Sequence, residues 1–316
     1  MDTNGSLPFL TSSCPGWICY AEKTHGNFIL PYISQVKSPQ QIMGTLVKDY
    51  FAKNVGKSPD DVYLMSIMPC FDKKLEASRE DFFNDIYKSR DVDLVITSLE
   101  IEAIFQEKCI DFESLSHSKL DKELSLIDKD GHLLGLAGSS SGGYLEHIYK
   151  HTANVLYNQD HDMDQPLQYK TLRNKDFQET VLTVNGEEKL RFAFAFGFRN
   201  IQNIVQKIKR NKCNYHFIEI MACPSGCTNG GGQIRTDTKE TAKGLLADTE
   251  TLYHSLPSID PTKETRICEL HTKLVDSDDK KKSSLYTTYH EVEKNVTALN
   301  IKCCLLYTSP SPRDRG

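Results

Sequence analysis

The chain has 316 residues, a hydrophobic fraction of 39% and a formal net charge of −5 at pH 7, which is typical of a soluble globular protein with one large domain or two smaller ones. The lack of a basic surplus argues against nucleic acid as the main partner, and no run of residues approaches the ~18 apolar positions of a membrane span. The first residues also lack the basic and apolar regions of a secretory signal.

Short runs rich in β-branched or aromatic residues predict four β-strands, at residues 62–68, 93–97, 191–196 and 216–221. Segments with apolar residues at helical spacing predict helices at residues 39–54, 143–156 and 200–208. Because strands that alternate with helices pair in parallel, we expect an α/β fold with a parallel four-stranded sheet flanked by helices. A further amphipathic pattern predicts a terminal helix at residues 284–299.

A polar segment at residues 112–142 leads into GLAGSSSGG, directly before a predicted helix. Such a loop can hold an anion at a helix N-terminus, or it can be a flexible insertion that only begins the helix. The segment lacks the GxxxxGK[ST] pattern, so it does not indicate a nucleotide site.

Two predicted strands end in a cysteine. Cys70 follows the first strand in the sequence MPC, and Cys223 follows the last strand in MACPSGC, which also contains Cys227. Ligand sites in open α/β sheets lie beyond the carboxyl ends of the strands. We therefore expect these cysteines at the sheet edge where such a site forms.

The chain contains ten cysteines without a secretory signal. Because the cytosol keeps thiols reduced, ligation of a metal or cluster explains them better than a disulfide framework. In the turn at residues 223–227, proline and glycine would let both sulfurs face one point, and the glycines at 230–232 would let N–H groups approach inorganic sulfide. The spacing alone leaves three alternatives: an iron–sulfur cluster, a zinc ion or unligated buried thiols.

Three separated motifs resemble the signatures of the iron-only hydrogenase large subunit: TSSCPGW at residues 11–17, MPCFDKKLE at 68–76 and EIMACPSGCTNGGGQ at 219–233. Intervening segments such as WICYAEKTHGNFILPYI and SGGYLEHIYKH resemble the eukaryotic branch of that family, the nuclear prelamin A recognition factor-like cytosolic iron–sulfur assembly factors. The resemblance covers residues 10–235. It implies the second lobe of the hydrogenase-like fold, with a remnant of the first.

The resemblance implies that one [4Fe–4S] cluster is held by four thiolates, those of Cys14, Cys70, Cys223 and Cys227. Lys73 matches a lysine that contacts a cyanide of the diiron subsite in true hydrogenases, although a surface charge is an equal alternative for it. Met68 and Met221 match methionines that line that pocket. Ser13 stands where hydrogenases have the proton-delivering cysteine. Because a hydroxyl is a far weaker acid than a thiol with its pKa of ~8.5, we do not expect hydrogen turnover.

The family also carries an earlier lobe and a second [4Fe–4S] cluster on N-terminal cysteines, and we expect both in the full-length protein. The closing LLYTSPSPRDRG follows no helical or strand pattern and is typical of translated adapter sequence. The predicted division is a first-lobe remnant, a second lobe with the cluster ligands, a C-terminal helical segment and a non-native tail, at residues 1–55, 56–235, 236–302 and 303–316.

The function that the resemblance implies is non-enzymatic. The protein would relay [4Fe–4S] clusters to target apoproteins in the cytoplasm, with a nuclear location also open, and its partners would be the scaffold proteins and the targeting complex of cytosolic iron–sulfur assembly. Two alternatives remain. One is an iron-only hydrogenase with a diiron subsite, and the other is an interaction protein that binds prelamin.

Overall fold

The computed structural model describes residues 5–122, 124–162, 165–236, 238–274 and 284–292. The strands are β1 (Phe9–Thr11), β2 (Met65–Met68), β3 (Phe83–Asn84), β4 (Ser89–Arg90), β5 (Leu94–Thr97), β6 (Gly135–Leu136), β7 (Lys170–Asn174), β8 (Phe177–Val184), β9 (Glu187–Phe196), β10 (Phe217–Met221) and β11 (Ser258–Ile259). The α-helices are α1 (Pro15–Tyr20), α2 (Pro39–Thr45), α3 (Ala52–Asn54), α4 (Asp72–Ala77), α5 (Ser98–Glu107), α6 (Tyr144–Tyr157), α7 (Phe198–Lys209), α8 (Lys239–His254) and α9 (Thr265–Leu274). The predicted tail at residues 303–316 lies outside the described residues.

The largest sheet has five strands in the order β1-β10-β9-β8-β7. β1, β10 and β9 are parallel, whereas β8 and β7 continue the sheet in antiparallel pairing. The β8–β9 hairpin turns at Asn185 and Gly186, which both have positive φ, as the tight turn of a two-residue hairpin requires. β10 lies between two strands and all five of its residues are buried, as expected for a strand covered on both faces.

The α/β class predicted from the sequence is confirmed, but the four predicted strands do not form a single sheet. The strands at residues 62–68 and 93–97 are β2 and β5, which pair in parallel in a sheet of their own. The other two are β9 and β10 of the large sheet. The physical reason is that β1 pairs with β10 and the β7–β8 hairpin pairs with β9. Neither side of the β9–β10 pair is therefore open to β2.

Helices cover both faces of the large sheet. The buried face of α7 packs on one side, where Ile201 and Ile204 join a cluster with Ile218 and Ile220 of β10. α6 packs on the other side, where its buried residues contact Phe217 and residues of β8 and β9. The predicted helices at 143–156 and 200–208 are therefore confirmed as α6 and α7. The helix predicted at 39–54 forms as α2, a π-helical turn (Leu46–Phe51) and α3.

The predicted terminal helix at residues 284–299 is wrong over its described part. Only residues 284–285 are helical, and Tyr286 then pairs antiparallel with Val36. Backbone hydrogen bonds to residues 35–37 replace the helical ones that the local pattern predicts, so tertiary pairing overrides local periodicity. We call residues 284–292 the C-terminal strap.

Among the described residues, no helix combines the length and the apolar character needed to cross a membrane. β1, in the predicted first-lobe remnant, pairs with β10 of the predicted second lobe. The predicted boundaries at residues 55, 235 and 302 stay predictions.

Candidate metal centre

The four predicted cysteines lie at the ends of strands. Cys14 follows β1 and is the residue before α1, whereas Cys70 follows β2. Cys223 follows β10, and Cys227 begins the short 3-10 turn after it. Cys14 and Cys223 are buried, each with 9% of its surface exposed, while Cys70 and Cys227 are half-buried. The set thus has a closed side and a more open side.

The Cys14 thiol lies against the segment that carries Cys223, since Ala222 N donates to its Sγ. Burial raises the pKa of the Cys14 thiol far above its ordinary value, and the nearby thiols of Cys223, Cys70 and Cys227 raise it further. The N–H of Ala222, whose nitrogen lies 3.4 Å from Cys14 Sγ, partly opposes this rise. A buried thiol that lies beside three other thiols and is hard to ionise would be stabilised as a thiolate by a shared cationic centre, so the donor set fits an iron–sulfur cluster. Their assignment as ligands stays a prediction.

Serine hydroxyls fix the loop that carries Cys14. Ser12 Oγ donates to the Ile220 carbonyl oxygen at 2.5 Å and accepts a hydrogen bond from Cys14 N at 3.0 Å. Ser13 Oγ donates to the Ser141 carbonyl oxygen at 3.2 Å. The hydroxyl that replaces the predicted proton-relay thiol is therefore engaged in holding backbone.

The GLAGSSSGG segment and the start of α6 bind a buried carboxyl group from within the chain. Leu145 N, at the start of α6, donates to one carboxyl oxygen of Glu219 at 2.9 Å, and Ser139 Oγ donates to the other at 2.9 Å. In the same segment, Ser141 Oγ accepts a hydrogen bond from Cys227 N at 3.0 Å. The helix N-terminus is thus occupied by a buried side chain of β10, and the segment supports the Cys227 turn. Sequence analysis did not single out Glu219.

Two of the glycines after Cys227 have a role that the sequence did not predict, and the approach of glycine N–H groups to sulfide stays a prediction. Gly232 N donates to the Pro69 carbonyl oxygen at 2.9 Å, which joins this segment to the Cys70 loop. A Cβ atom on Gly230 would lie 2.1 Å from the Pro69 carbonyl oxygen, and one on Gly232 would lie 2.8 Å from the Thr97 side chain. Both positions need glycine because the two cysteine-bearing loops approach each other closely there.

We expect Gly230→Ala to push the Cys70 loop away and to lower the free energy of unfolding by about 1–3 kcal/mol, the usual cost of overpacking. The clash is with backbone, which cannot rotate aside. Urea denaturation measures the change. Gly244→Ala is the matched control, because no atom lies within 4 Å of its added Cβ and alanine favours a helix interior. Equal stabilities of the two variants would contradict the close approach.

The other predicted site residues divide between two environments. Met221 ends β10 in the main core, with its sulfur 3.8 Å from Ser13 Oγ. Met68 ends β2 and packs against a separate apolar cluster that contains Val92 and Val95. The structure therefore brings Met221, but not Met68, into the core cluster that contains Cys14.

Lys73 is buried, with 9% of its surface exposed, which excludes the surface alternative. Its ammonium lies 3.2 and 3.1 Å from the two oxygens of Glu76. Ser38, Gln40 and Gln41, at the start of α2, also donate to this carboxylate. A buried charge needs partners of this kind, and these supply them. Sequence reasoning missed this cluster, although Ser38-Pro39 is a recognisable helix-start signal that places both glutamines in the first turn.

Comparison with known proteins places these features in a family. The family model for the iron only hydrogenase large subunit, C-terminal domain, matches residues 1–231. An apo [FeFe]-hydrogenase from Chlamydomonas reinhardtii is 28% identical with a TM-score of 0.73, covering 90% of this chain and 76% of that one. Another [FeFe]-hydrogenase, whose structure concerns oxygen damage to the 2Fe subcluster of its H cluster, is 28% identical with a TM-score of 0.76, covering 92% and 76%.

Curated relatives are more similar in sequence. A probable cytosolic Fe-S cluster assembly factor from Aedes aegypti is 51% identical over 301 residues, which are 94% of this chain and 62% of the relative. The cytosolic Fe-S cluster assembly factor narfl from Danio rerio is 50% identical over 299 residues, which are 94% of this chain and 72% of that relative. Cytosolic iron-sulfur assembly component 3 from Rattus norvegicus is 48% identical over 302 residues, which are 94% of this chain and 62% of that relative.

The chain thus spans 62% of the length of the Aedes aegypti and Rattus norvegicus relatives. The family match covers the segment in which the four cysteines converge, and the solved hydrogenases share its fold. The predicted resemblance is confirmed by the family model and by the curated relatives. This chain belongs to the family of the iron-only hydrogenase large subunit, C-terminal domain, and its curated relatives are cytosolic iron–sulfur assembly factors.

Proposed function

We propose that this chain binds one [4Fe–4S] cluster and relays such clusters to apoproteins in cytosolic iron–sulfur protein assembly. The convergence of the loops that carry Cys14, Cys70, Cys223 and Cys227 supports the proposal. Ala222 N, next to Cys223, lies 3.4 Å from Cys14 Sγ, and Gly232 N donates to the Pro69 carbonyl oxygen beside Cys70 at 2.9 Å. The names of relatives at about 50% identity support the pathway. Its partners would be the scaffold proteins and the targeting complex of that pathway.

Burial suggests how the site would favour transfer. When bound, the cluster supplies a transferable iron–sulfur group held by four thiolates. Cys14 and Cys223 are buried and would hold it on the closed side. Cys70 and Cys227 are half-buried, so an acceptor's thiols would reach the site from their side. The hydrogen bond from Gly232 N to the Pro69 carbonyl oxygen joins these two cysteine loops.

An iron-only hydrogenase is the second candidate, favoured by the fold and by the buried Lys73. Ser13 argues against it. Its side chain is 7% exposed and donates to the Ser141 carbonyl oxygen, so it holds backbone and carries a proton too weakly acidic for relay near pH 7. The second N-terminal cluster, the prelamin contact and the nuclear location implied by the resemblance stay predictions.

Anaerobic reconstitution followed by transfer tests the proposed function. We expect the chain to take up about four iron and four sulfide per molecule and to convert an apo [4Fe–4S] enzyme to its active form. Transfer should continue in the presence of an iron chelator, which removes free iron as the carrier. The hydrogenase alternative predicts infrared bands of CO and cyanide after co-expression with hydrogenase maturases. Those bands together with hydrogen evolution would establish hydrogenase activity instead. Absence of iron uptake would overturn both.

A further inference from the structure

The C-terminal strap is fixed to the N-terminal part of the chain at its beginning. Lys37 N donates to the Leu285 carbonyl oxygen at 2.8 Å, and Thr287 N donates to the Gln35 carbonyl oxygen at 2.8 Å. These bonds flank the antiparallel bridge at Tyr286 and resemble the pairing of a β-ladder. The strap therefore has a defined position.

The far end of the strap is anchored on Glu22, which is only 4% exposed. His290 N donates to the Glu22 carboxylate at 3.0 Å, and Val292 N donates to the Glu22 carbonyl oxygen at 3.2 Å. Arg79 binds the same carboxylate through two nitrogens, each at 2.8 Å. A bidentate contact of this kind between a guanidinium and a carboxylate is strong and has a fixed geometry. Both ends of the strap are thus held.

Tyr289, between the two anchors, reaches toward the candidate metal centre. Its ring packs against the main core and lies with its centroid 5.9 Å from the Arg79 guanidinium carbon. Together with Ser13, Cys14 and Glu76 it lines a small, partly enclosed cavity of about 20 Å³. A space of that size holds about one water molecule. The tyrosine ring therefore forms part of the wall that separates Cys14 from solvent.

We propose that the C-terminal strap shields the cluster site, with Tyr289 as the residue that keeps water and dioxygen from its Cys14 side. The inference rests on the proposed cluster. Iron–sulfur clusters are lost when water or oxygen reaches an iron, and burial controls that access. On the Cys14 side the strap contributes Tyr289 to a wall that also includes Ser38 and Phe82. Shortening Tyr289 would join this small cavity to the surface.

Oxygen-driven cluster loss in the full chain tests this role. Parent, Tyr289→Ala, Tyr289→Phe and Tyr286→Ala are reconstituted anaerobically and moved to air-saturated buffer, and the visible absorbance of the cluster is followed. We expect equal anaerobic iron content in all four, and decay several-fold faster in Tyr289→Ala alone. Tyr286 is the matched control because it lies on the same strap but outside the cavity lining, with 39% of its surface exposed.

Equal decay rates in the parent and Tyr289→Ala would overturn the shielding role. If Tyr289→Ala fails to fold, Tyr289→Leu decides the matter, since it keeps apolar volume against the core but not the reach of the ring. Its decay should be faster than that of the parent, and an unchanged rate would also overturn the proposal. A parent chain that takes up no iron and sulfide would instead contradict the proposed function itself, so the two failures are distinguishable.

Discussion

Cys227→Ala and Cys223→Ala should each fail to hold a stable [4Fe–4S] cluster, whereas Cys213→Ala should hold it as the parent chain does. The proposed cubane has one of the four thiolates on each iron, and three thiolates leave one iron open to water and oxygen. The cluster content should therefore fall well below that of the parent chain. Iron and sulfide analysis after anaerobic reconstitution, with absorbance and paramagnetic resonance spectra, measures the result.

Cys213 is a matched control because it lies near the same strand. It is half-buried just before β10, whereas Cys223 is at the other end of that strand. A general effect of removing a thiol from this part of the core would appear in both variants. An iron and sulfide content near about four per chain in the Cys223 and Cys227 variants would remove these residues from the ligand set.

The positions of two candidate ligands could be predicted from the sequence. Strands β2 and β10 are short apolar runs that are each followed by a cysteine, and ligand sites lie beyond the carboxyl ends of strands. The sequence did not predict that these two strands belong to different sheets. The motif resemblance added Cys14, which no periodicity indicates, since β1 is only three residues long. That same strand pairs with β10 in the large sheet, and the four-strand prediction did not include it. A strand so short carries no measurable alternation.

The remaining features depend on tertiary contacts that local sequence does not encode. The pattern at residues 284–299 has a helical period, yet the strap forms hydrogen bonds with residues 35–37, far away in the chain. Glu76 and Glu219 resemble surface carboxylates in the sequence, but both are buried and hydrogen-bonded beside the cysteine loops. Burial of a carboxylate is decided by which donors the fold brings to it.

Glu219 provides the clearest case of such a hidden feature, and it predicts an unusual pH dependence of stability. Burial raises the pKa of Glu219 from 4.5 to about 7, and Glu146 raises it slightly, although the hydrogen bonds from Leu145 N and Ser139 lower it. The side chain is 1% exposed. Between these two pH values the folded chain therefore retains a proton that the unfolded chain has already released.

Stability linked to this proton is fully present below pH 4.5 and is lost as the pH rises through about 7. The shift corresponds to about 3 kcal/mol, since each pKa unit represents ~1.4 kcal/mol. Glu219→Gln should abolish this loss. Its amide oxygen can accept from Leu145 N and its NH₂ group can donate to Ser139 Oγ, so the buried hydrogen bonds persist.

We therefore expect the unfolding free energy of Glu219→Gln, relative to the parent chain, to increase from pH 5 to pH 8 by up to about 3 kcal/mol. Urea denaturation of both chains under the same reducing conditions measures this difference directly. Glu240→Gln removes an exposed carboxyl of α8 and serves as the control. Its unfolding free energy should follow that of the parent across the pH range. Parallel pH profiles for Glu219→Gln and the parent would contradict this prediction. They would mean that the buried carboxyl between β10 and the α6 N-terminus does not retain its proton near neutral pH. The same coupling would make the loop that supports Cys227 sensitive to that proton, because Ser139 and Ser141 belong to one turn.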